Sequence, residues 1–129
     1  MTRPRIVVTA AVIRRGDEFF VTRRHQGVHL AGFWEFPGGK CDPGESLERC
    51  LEREIREELG VGARVGTELL SCTHEDPERL IELHFFVCEL EGEPRAVLGQ
   101  EMRWVPQAEL RTLQFPPADD ALIDLLERG

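Results

Sequence analysis

The apolar positions of this chain change period along its length, and the changes mark out its elements. Arg5 to Arg14 is dense in Val, Ile and Ala, Gly16-Asp17 interrupts it with a turn signal, and Glu18 to Arg23 resumes in strand-forming residues, so the two runs predict a hairpin. A helical period follows at Leu47, Leu51, Ile55 and Leu59. Ser46 stands where a helix cap is needed and Gly60 supplies a stop, which predicts a helix over residues 47–59. Strand-like runs over 63–74 and 80–90 flank the turn-prone Asp76-Pro77, and a shorter run covers 102–105. A closing helix over 117–127 is expected, with Leu122, Leu125 and Leu126 on its inner face. Between the hairpin and the first helix, residues 27–44 are rich in Gly, Pro and aromatic side chains, the composition of a structured functional loop. Strand and helix are mixed without regular β-α-β alternation, so the expected class is α+β, a sheet between helices.

A chain of 129 residues fits one domain spanning residues 1–129, and there is no internal repeat or linker-like stretch to divide it. The formal net charge of -8 repels polyphosphate, which argues against binding long DNA or RNA and means that a small anionic substrate would need cations as mediators. A merely solvated acidic surface explains the same charge. Cys41, Cys50, Cys72 and Cys88 form no C-x-x-C pair, so neither a structural zinc site nor a redox motif is indicated, and they are expected to be reduced, mostly buried thiols. Arg3 and Arg5 precede the apolar run from Ile6 to Ile13 as in a short signal peptide. Arg14-Arg15 follow without a cleavage pattern, so a first strand, a cytoplasmic protein and no membrane association are expected.

Charge gives the predicted helix its interest. Glu54, Glu57 and Glu58 stand at i, i+3 and i+4 and project within one sector, where like charges destabilise a bare helix. A solvated face tempered by Arg53 and Arg56 is one reading. The other is a metal site: Mg²⁺ prefers oxygen ligands, commonly a few carboxylates completed by water and substrate phosphates, and Mn²⁺ accepts the same set. The preceding Phe36-Pro37-Gly38-Gly39-Lys40 has no bulk at its glycines, so a backbone carbonyl can approach a metal there and a phosphate can approach the backbone.

Taken together, Gly39, Glu45, Arg53, Glu54, Ile55, Glu57, Glu58, Gly60 and Val61 match every fixed position and spacing of the Nudix box, here residues 39–61. The chain therefore resembles the Nudix hydrolases, and within them the MutT branch, which splits nucleoside triphosphates into monophosphate and pyrophosphate. Phe20-Val21-Thr22-Arg23-Arg24, Glu35-Phe36-Pro37-Gly38-Gly39-Lys40, Glu91-Gly92-Glu93-Pro94 and Phe115-Pro116-Pro117-Ala118 extend the likeness over nearly the whole chain. The resemblance implies an α/β/α sandwich with a mixed sheet, the box forming a loop-helix-loop against it.

The resemblance also implies metal ligation by Glu54, Glu57 and Glu58, with the carbonyl of Gly38 or Gly39 as a further ligand and Glu45 in support. A helix glutamate or Glu101 could act as general base, and the two remain open. Glu101 stands in Glu101-Met102-Arg103-Trp104-Val105, similar to a downstream Glu-x-x-Trp-Val segment of many relatives, or is a surface strand-end charge. Arg53 is expected to pair with Glu57 or Glu45 rather than touch substrate. Arg23, Arg24 and Lys40 could contact phosphates, with Arg24 the stronger candidate by the resemblance, and Arg79 lies where MutT has an arginine near its nucleotide pocket. Phe36 and Phe85 could stack on a base or simply pack in the core. His25, His29, His74 and His84 make no i, i+4 metal pair and are read as ordinary polar residues.

Base choice turns on Asp119. The corresponding MutT residue is an asparagine that reads the oxidised guanine, whereas an ionised aspartate only accepts and suits a base edge offering donors, guanine N1-H and N2-H₂ or the cytosine amine. Alternatively Asp119 caps the closing helix. The implied substrate is 8-oxo-dGTP, in the sanitation of oxidised nucleotides that serves DNA repair, with a modified cytidine triphosphate second. Other readings are a Nudix hydrolase of ADP-ribose or dinucleoside polyphosphates, weakly suggested by Pro77, a non-catalytic Nudix-fold binding module, and a structural domain with an accidental acidic helix. Monomer and homodimer are both compatible with the sequence.

Overall fold

The computed structural model describes residues 4–25, 31–75 and 77–129; Arg3, Gly27, His29 and Asp76, named above, lie outside them. Its strands are β1 (Arg5–Arg15), β2 (Glu18–Arg23), β3 (Trp34–Glu35), β4 (Gly38–Lys40), β5 (Ala63–Glu75), β6 (Leu80–Leu90) and β7 (Met102–Pro106). The helices are α1 (Leu47–Leu59) and α2 (Asp120–Arg128), with 3-10 turns over Gln107–Thr112 and Pro117–Asp119.

β1 is the spine of a mixed sheet ordered β3-β2-β1-β6-β5, with β4 added on β1 and β7 on β2. It runs parallel to β6 and antiparallel to β2 and β4. Covered on both faces, its middle reads as a continuous apolar run rather than an alternation. Ala10 and Val12 join Phe19, Val21, Phe85, Leu110 and Leu122 in the layer under α2, while Ala11 and Ile13 join Phe20, Leu51, Ile55 and Leu59 in the layer under α1. The arrangement is an α/β/α sandwich in the α+β class.

Sequence dictates α1 closely. The Ser46 hydroxyl accepts the Arg49 N–H at 3.2 Å, and Gly60 ends the helix at φ 67°, returning its N–H to the Arg56 carbonyl. Leu51, Ile55 and Leu59 are fully buried, and Glu54, Glu57 and Glu58 fall on the flank beside that stripe, with Glu58 nearest to it.

Three expectations need correction. The loop expected over 27–44 contains β3 and β4, which are too short to carry a period and are held by pairing with β2 and β1. The closing helix begins as a 3-10 turn at Pro117 and becomes α-helical only from Asp120. The cysteines are not all reduced: Cys41 and Cys50 are joined in a disulfide with Cα atoms 5.2 Å apart, while Cys72 and Cys88 are free thiols. That pair was hidden in sequence because it meets only when β4 has brought the chain back along β1 to the start of α1.

Candidate active site

β4 lies where β1 passes the start of α1, and its glycines are required by contact. A Cβ on Gly38 would overlap the Thr9 carbonyl and the Ala10 Cα, and one on Gly39 would overlap the Glu54 carboxylate. Their absence lets the carboxylates of α1 lie against the bend. Glu58 Oε2 accepts the Gly38 N–H at 3.2 Å. Burial, followed by the charges of Glu35 and Glu54, pushes the Glu58 carboxyl up to about 8, and burial also raises Glu54. Two neighbouring carboxylates packed on one glycine bend are a poor anionic arrangement on their own, and one that a divalent cation relieves, so the residues fit a metal of that kind.

Arg53 organises the outer side. It holds Glu45 through Nε (2.8 Å) and Nη2 (2.9 Å), reaches Glu54 through Nη1 at 2.9 Å and both Glu57 oxygens at 3.3 Å, and donates to the Lys40 carbonyl at 3.0 Å. Glu45 also accepts the Asp42 N–H. The Arg53 bonds, with that N–H, bring its carboxyl down to about 2, and the same bonds raise the guanidinium further. One cation thus ties the loop after β4 to the acidic face of α1. Among the described residues no three His, Cys, Asp or Glu side chains are already gathered at metal-binding distances. Glu54 and Glu57 are turned onto Arg53, and the Glu57 side chain is 58% exposed.

A cleft of about 390 Å³ opens beside these groups. Its lining includes Gly38, Gly39, Lys40 and Glu58 from the bend and α1, the buried Phe36, Phe85 and Asp119, and Arg24 and Arg79. Phe36 stacks on Phe115 with centroids 5.3 Å apart and meets Phe85 edge-on at 6.3 Å, so both predicted aromatics are core residues that also face the cleft. Asp119 is 6% exposed, and burial, followed by the charges of Glu35 and Asp120, lifts its carboxyl to about 7. It occupies the cap position of α2 without making a side-chain capping bond.

Glu101 is not among the residues lining this cleft. It pairs with Arg23 at 3.3 Å and lines a neighbouring depression with Arg24 and Gln100. Arg23 also donates to the Gly32 carbonyl and lies over Trp34. His84 is held between Glu68 and Glu82. His74 faces the cleft. Three residues were missed by sequence reasoning. Glu35 pairs with Arg24 at 2.7 Å and bears on both Glu58 and Asp119; its signal was an acid directly before the Phe-Pro-Gly-Gly bend. Gln100 donates from Nε2 to the Glu58 carbonyl at 2.9 Å and accepts the Leu98 N–H, fixing the following strap to the end of α1. Thr9 is wholly buried beside Cys50. No sequence signal marked the last two.

Comparison with known proteins agrees with this geometry. Residues 8–125 match the model of the NUDIX domain. The chain is 36% identical over 126 residues to the 8-oxo-dGTP diphosphatase of Escherichia coli K12, covering 96% of this chain and 98% of that enzyme. It is 39% identical over 122 residues to the CTP pyrophosphohydrolase of the same organism, covering 92% and 89%. The solution structure of the E. coli ORF135 protein superposes with a TM-score of 0.83 at 37% identity, covering 97% of this chain and 88% of that one.

Proposed function

The chain belongs to the NUDIX domain family, and from that premise we propose that it cleaves oxidised purine nucleoside triphosphates, 8-oxo-dGTP first among them, to monophosphate and pyrophosphate. Hydrolysis of a nucleoside triphosphate is its activity, and hydrolases of this family generally need a divalent metal. The observation that carries the reading is the juxtaposition of Glu54 and Glu58, packed on the Gly38-Gly39 bend, with a cleft lined by two aromatic rings and one buried acid.

Glu54, Glu57, Glu58 and a carbonyl of Gly38 or Gly39 would hold Mg²⁺, or Mn²⁺ in its place. When bound, the metal neutralises phosphate charge and makes a coordinated water more acidic. The protein supplies position. Arg53 and Glu45 fix the loop against α1, so that the carbonyl and the carboxylates keep one geometry. Lys40 and Arg24 stand at the cleft for the phosphates, and Arg24 is itself oriented by Glu35. Glu58 is the better placed base, since it lines the cleft, whereas Glu101 is engaged with Arg23. Phe36, Phe85 and Arg79 would border the base, with Asp119 reading its edge.

Asp119 also favours a second reading. In its ionised form, above about pH 7, it suits the cytosine amine, so a modified cytidine triphosphate is the alternative substrate. The one domain would act on free nucleotides rather than on long nucleic acid, in the cytoplasm, as monomer or homodimer and in the service of DNA repair. No helix among the described residues is long and apolar enough to cross a membrane.

The test is pyrophosphate release from 8-oxo-dGTP, dGTP, 5-methyl-dCTP, dCTP and ADP-ribose with Mg²⁺ or Mn²⁺. The expected result is the highest kcat/KM on 8-oxo-dGTP. Preference for 5-methyl-dCTP selects the second reading, and turnover of ADP-ribose without any triphosphate overturns both.

A further inference from the structure

We propose that Cys41 and Cys50 form a thiol–disulfide exchange site that tunes metal affinity, tight when oxidised and weaker when reduced by a dithiol. The inference rests on the metal reading above, and its own basis is the position of the two sulfurs. Cys41 follows the Gly39-Lys40 end of the bend, and Cys50 lies one helical turn before Glu54 on α1. The bond therefore spans the two elements whose separation sets the distance between the Gly39 carbonyl and the Glu54 carboxylate.

A second effect acts in the same direction. Cys50 Sγ stands 3.8 Å from the Gly39 carbonyl oxygen and 3.2 Å from the Thr9 hydroxyl. In the disulfide this sulfur has no hydrogen, so Thr9 is the donor of their contact and the Gly39 oxygen keeps its lone pairs for a cation. As a thiol, Cys50 gains a weak S–H donor pointed at that oxygen, which competes with the metal. Reduction removes one of the two ties between the bend and α1, Arg53 being the other, and puts a donor on one of the two carbonyls that would hold the metal.

The chemistry is feasible and reversible. Cys50 is fully buried but Cys41 is partly exposed, so a dithiol thiolate attacks Cys41 Sγ. The electron pair of the S–S bond leaves on Cys50, and a mixed disulfide joins the reductant to Cys41. The second thiol of the reductant then closes a cyclic disulfide and releases Cys41, and the two protons lost by the reductant end on Cys41 and Cys50. The loop outlasts the bond: Cys41 N–H donates to the Val7 carbonyl at 2.9 Å, β4 stays paired to β1, and Arg53 still holds the Lys40 carbonyl. A crosslink that the local fold does not need, in the reducing compartment proposed for this protein, fits a redox-sensing pair better than a staple.

The experiment measures two things on the full chain, after air oxidation and after reduction by dithiothreitol with the reductant removed under argon. Alkylation in denaturant followed by intact mass counts thiols, and the electron paramagnetic resonance of free Mn²⁺ gives its dissociation constant. Two labels before reduction and four after are expected, together with Mn²⁺ binding about two- to tenfold weaker in the reduced form, the ratio a net hydrogen bond is worth. Cys41→Ser should bind Mn²⁺ as the reduced protein does and ignore dithiol. Four labels before reduction, or one Mn²⁺ affinity in both forms, would overturn the proposal. Absence of Mn²⁺ binding in either form would overturn the metal reading itself, and the inference with it.

Discussion

Arg53 grips Glu45 with two parallel N–H···O bonds of 2.8 and 2.9 Å, and the remaining nitrogen of the same guanidinium reaches Glu54 at 2.9 Å. Glu45 stays ionised down to about pH 2, so the clamp is charged at any ordinary assay pH. Lysine cannot reproduce this fork, because an ammonium is a point donor. Arg53→Lys is therefore expected to lower kcat about 10- to 100-fold, the usual cost of losing a partner that orients metal ligands, with a smaller change in nucleotide KM. Initial rates across a Mg²⁺ titration check this, and a lower kcat that excess metal restores would mark lost affinity rather than lost geometry.

Removing one carboxylate charge tests the acidic face directly. Glu58→Gln keeps the shape and can still face the Gly38 N–H, but it can neither take a proton nor carry charge. We expect kcat to fall about a hundredfold or more, with the melting temperature held or raised because a buried, crowded carboxyl has been neutralised. Glu101→Gln should lose much less, since Glu101 is engaged with Arg23. Near-wild-type turnover in Glu58→Gln beside a severe loss in Glu101→Gln would reverse the assignment of the base.

Asp119 links stability to pH. In the native cleft it stays protonated up to about pH 7, whereas in an unfolded chain an aspartate ionises at about 3.9. Between those values the unfolded state has released a proton that the native state keeps, so the contribution of Asp119 falls as pH rises from about 4 to about 7 and is level above that. Asp119→Asn cannot ionise. Relative to the parent it should gain up to about 4 kcal/mol between pH 4 and pH 8, at about 1.4 kcal/mol per pH step, read by denaturant melts at each pH. The same substitution should act on KM more than on kcat and remove any pH dependence of KM near neutrality. An unchanged difference in stability across that range would place Asp119 in water rather than in the cleft.

How far these features could be read in advance depends on whether they carry a period. α1 was legible to its ends because Leu51, Ile55 and Leu59 repeat at helical spacing between Ser46 and Gly60, and the same regularity exposed Glu54, Glu57 and Glu58 as one face. β1, β2, β5 and β6 were legible from their runs of strand-forming residues. β3 and β4 have only two and three residues, and pairing with longer strands creates them, so no local pattern announces them. The nearness of Glu35 to Glu58 and Asp119 follows from β3 lying on β2, and the Cys41–Cys50 bond follows from β4 lying on β1. Such relations belong to register, which sequence spacing does not state. The closing segment was placed within one residue at its end, but its first turn tightened to 3-10 after Pro116-Pro117.

The neighbouring glycines of β4 should fail differently when a methyl group is added. At Gly38 the new Cβ meets the Thr9 carbonyl and the Ala10 Cα, backbone atoms of the central strand that cannot retreat without disturbing the pairing of β1. Gly38→Ala is therefore expected to destabilise the fold by about 1–3 kcal/mol or more, the range for forcing bulk into a packed site. At Gly39 the new Cβ meets the Glu54 carboxylate, the far end of a flexible side chain that can swing aside. Gly39→Ala should melt close to the parent, yet need more metal and turn over more slowly, if the displaced group is the ligand proposed. Differential scanning calorimetry and a Mg²⁺ titration separate the two. If Gly39→Ala lost stability as Gly38→Ala does while its metal requirement stayed put, the carboxylate would be a packing element of the bend and not part of a cation site.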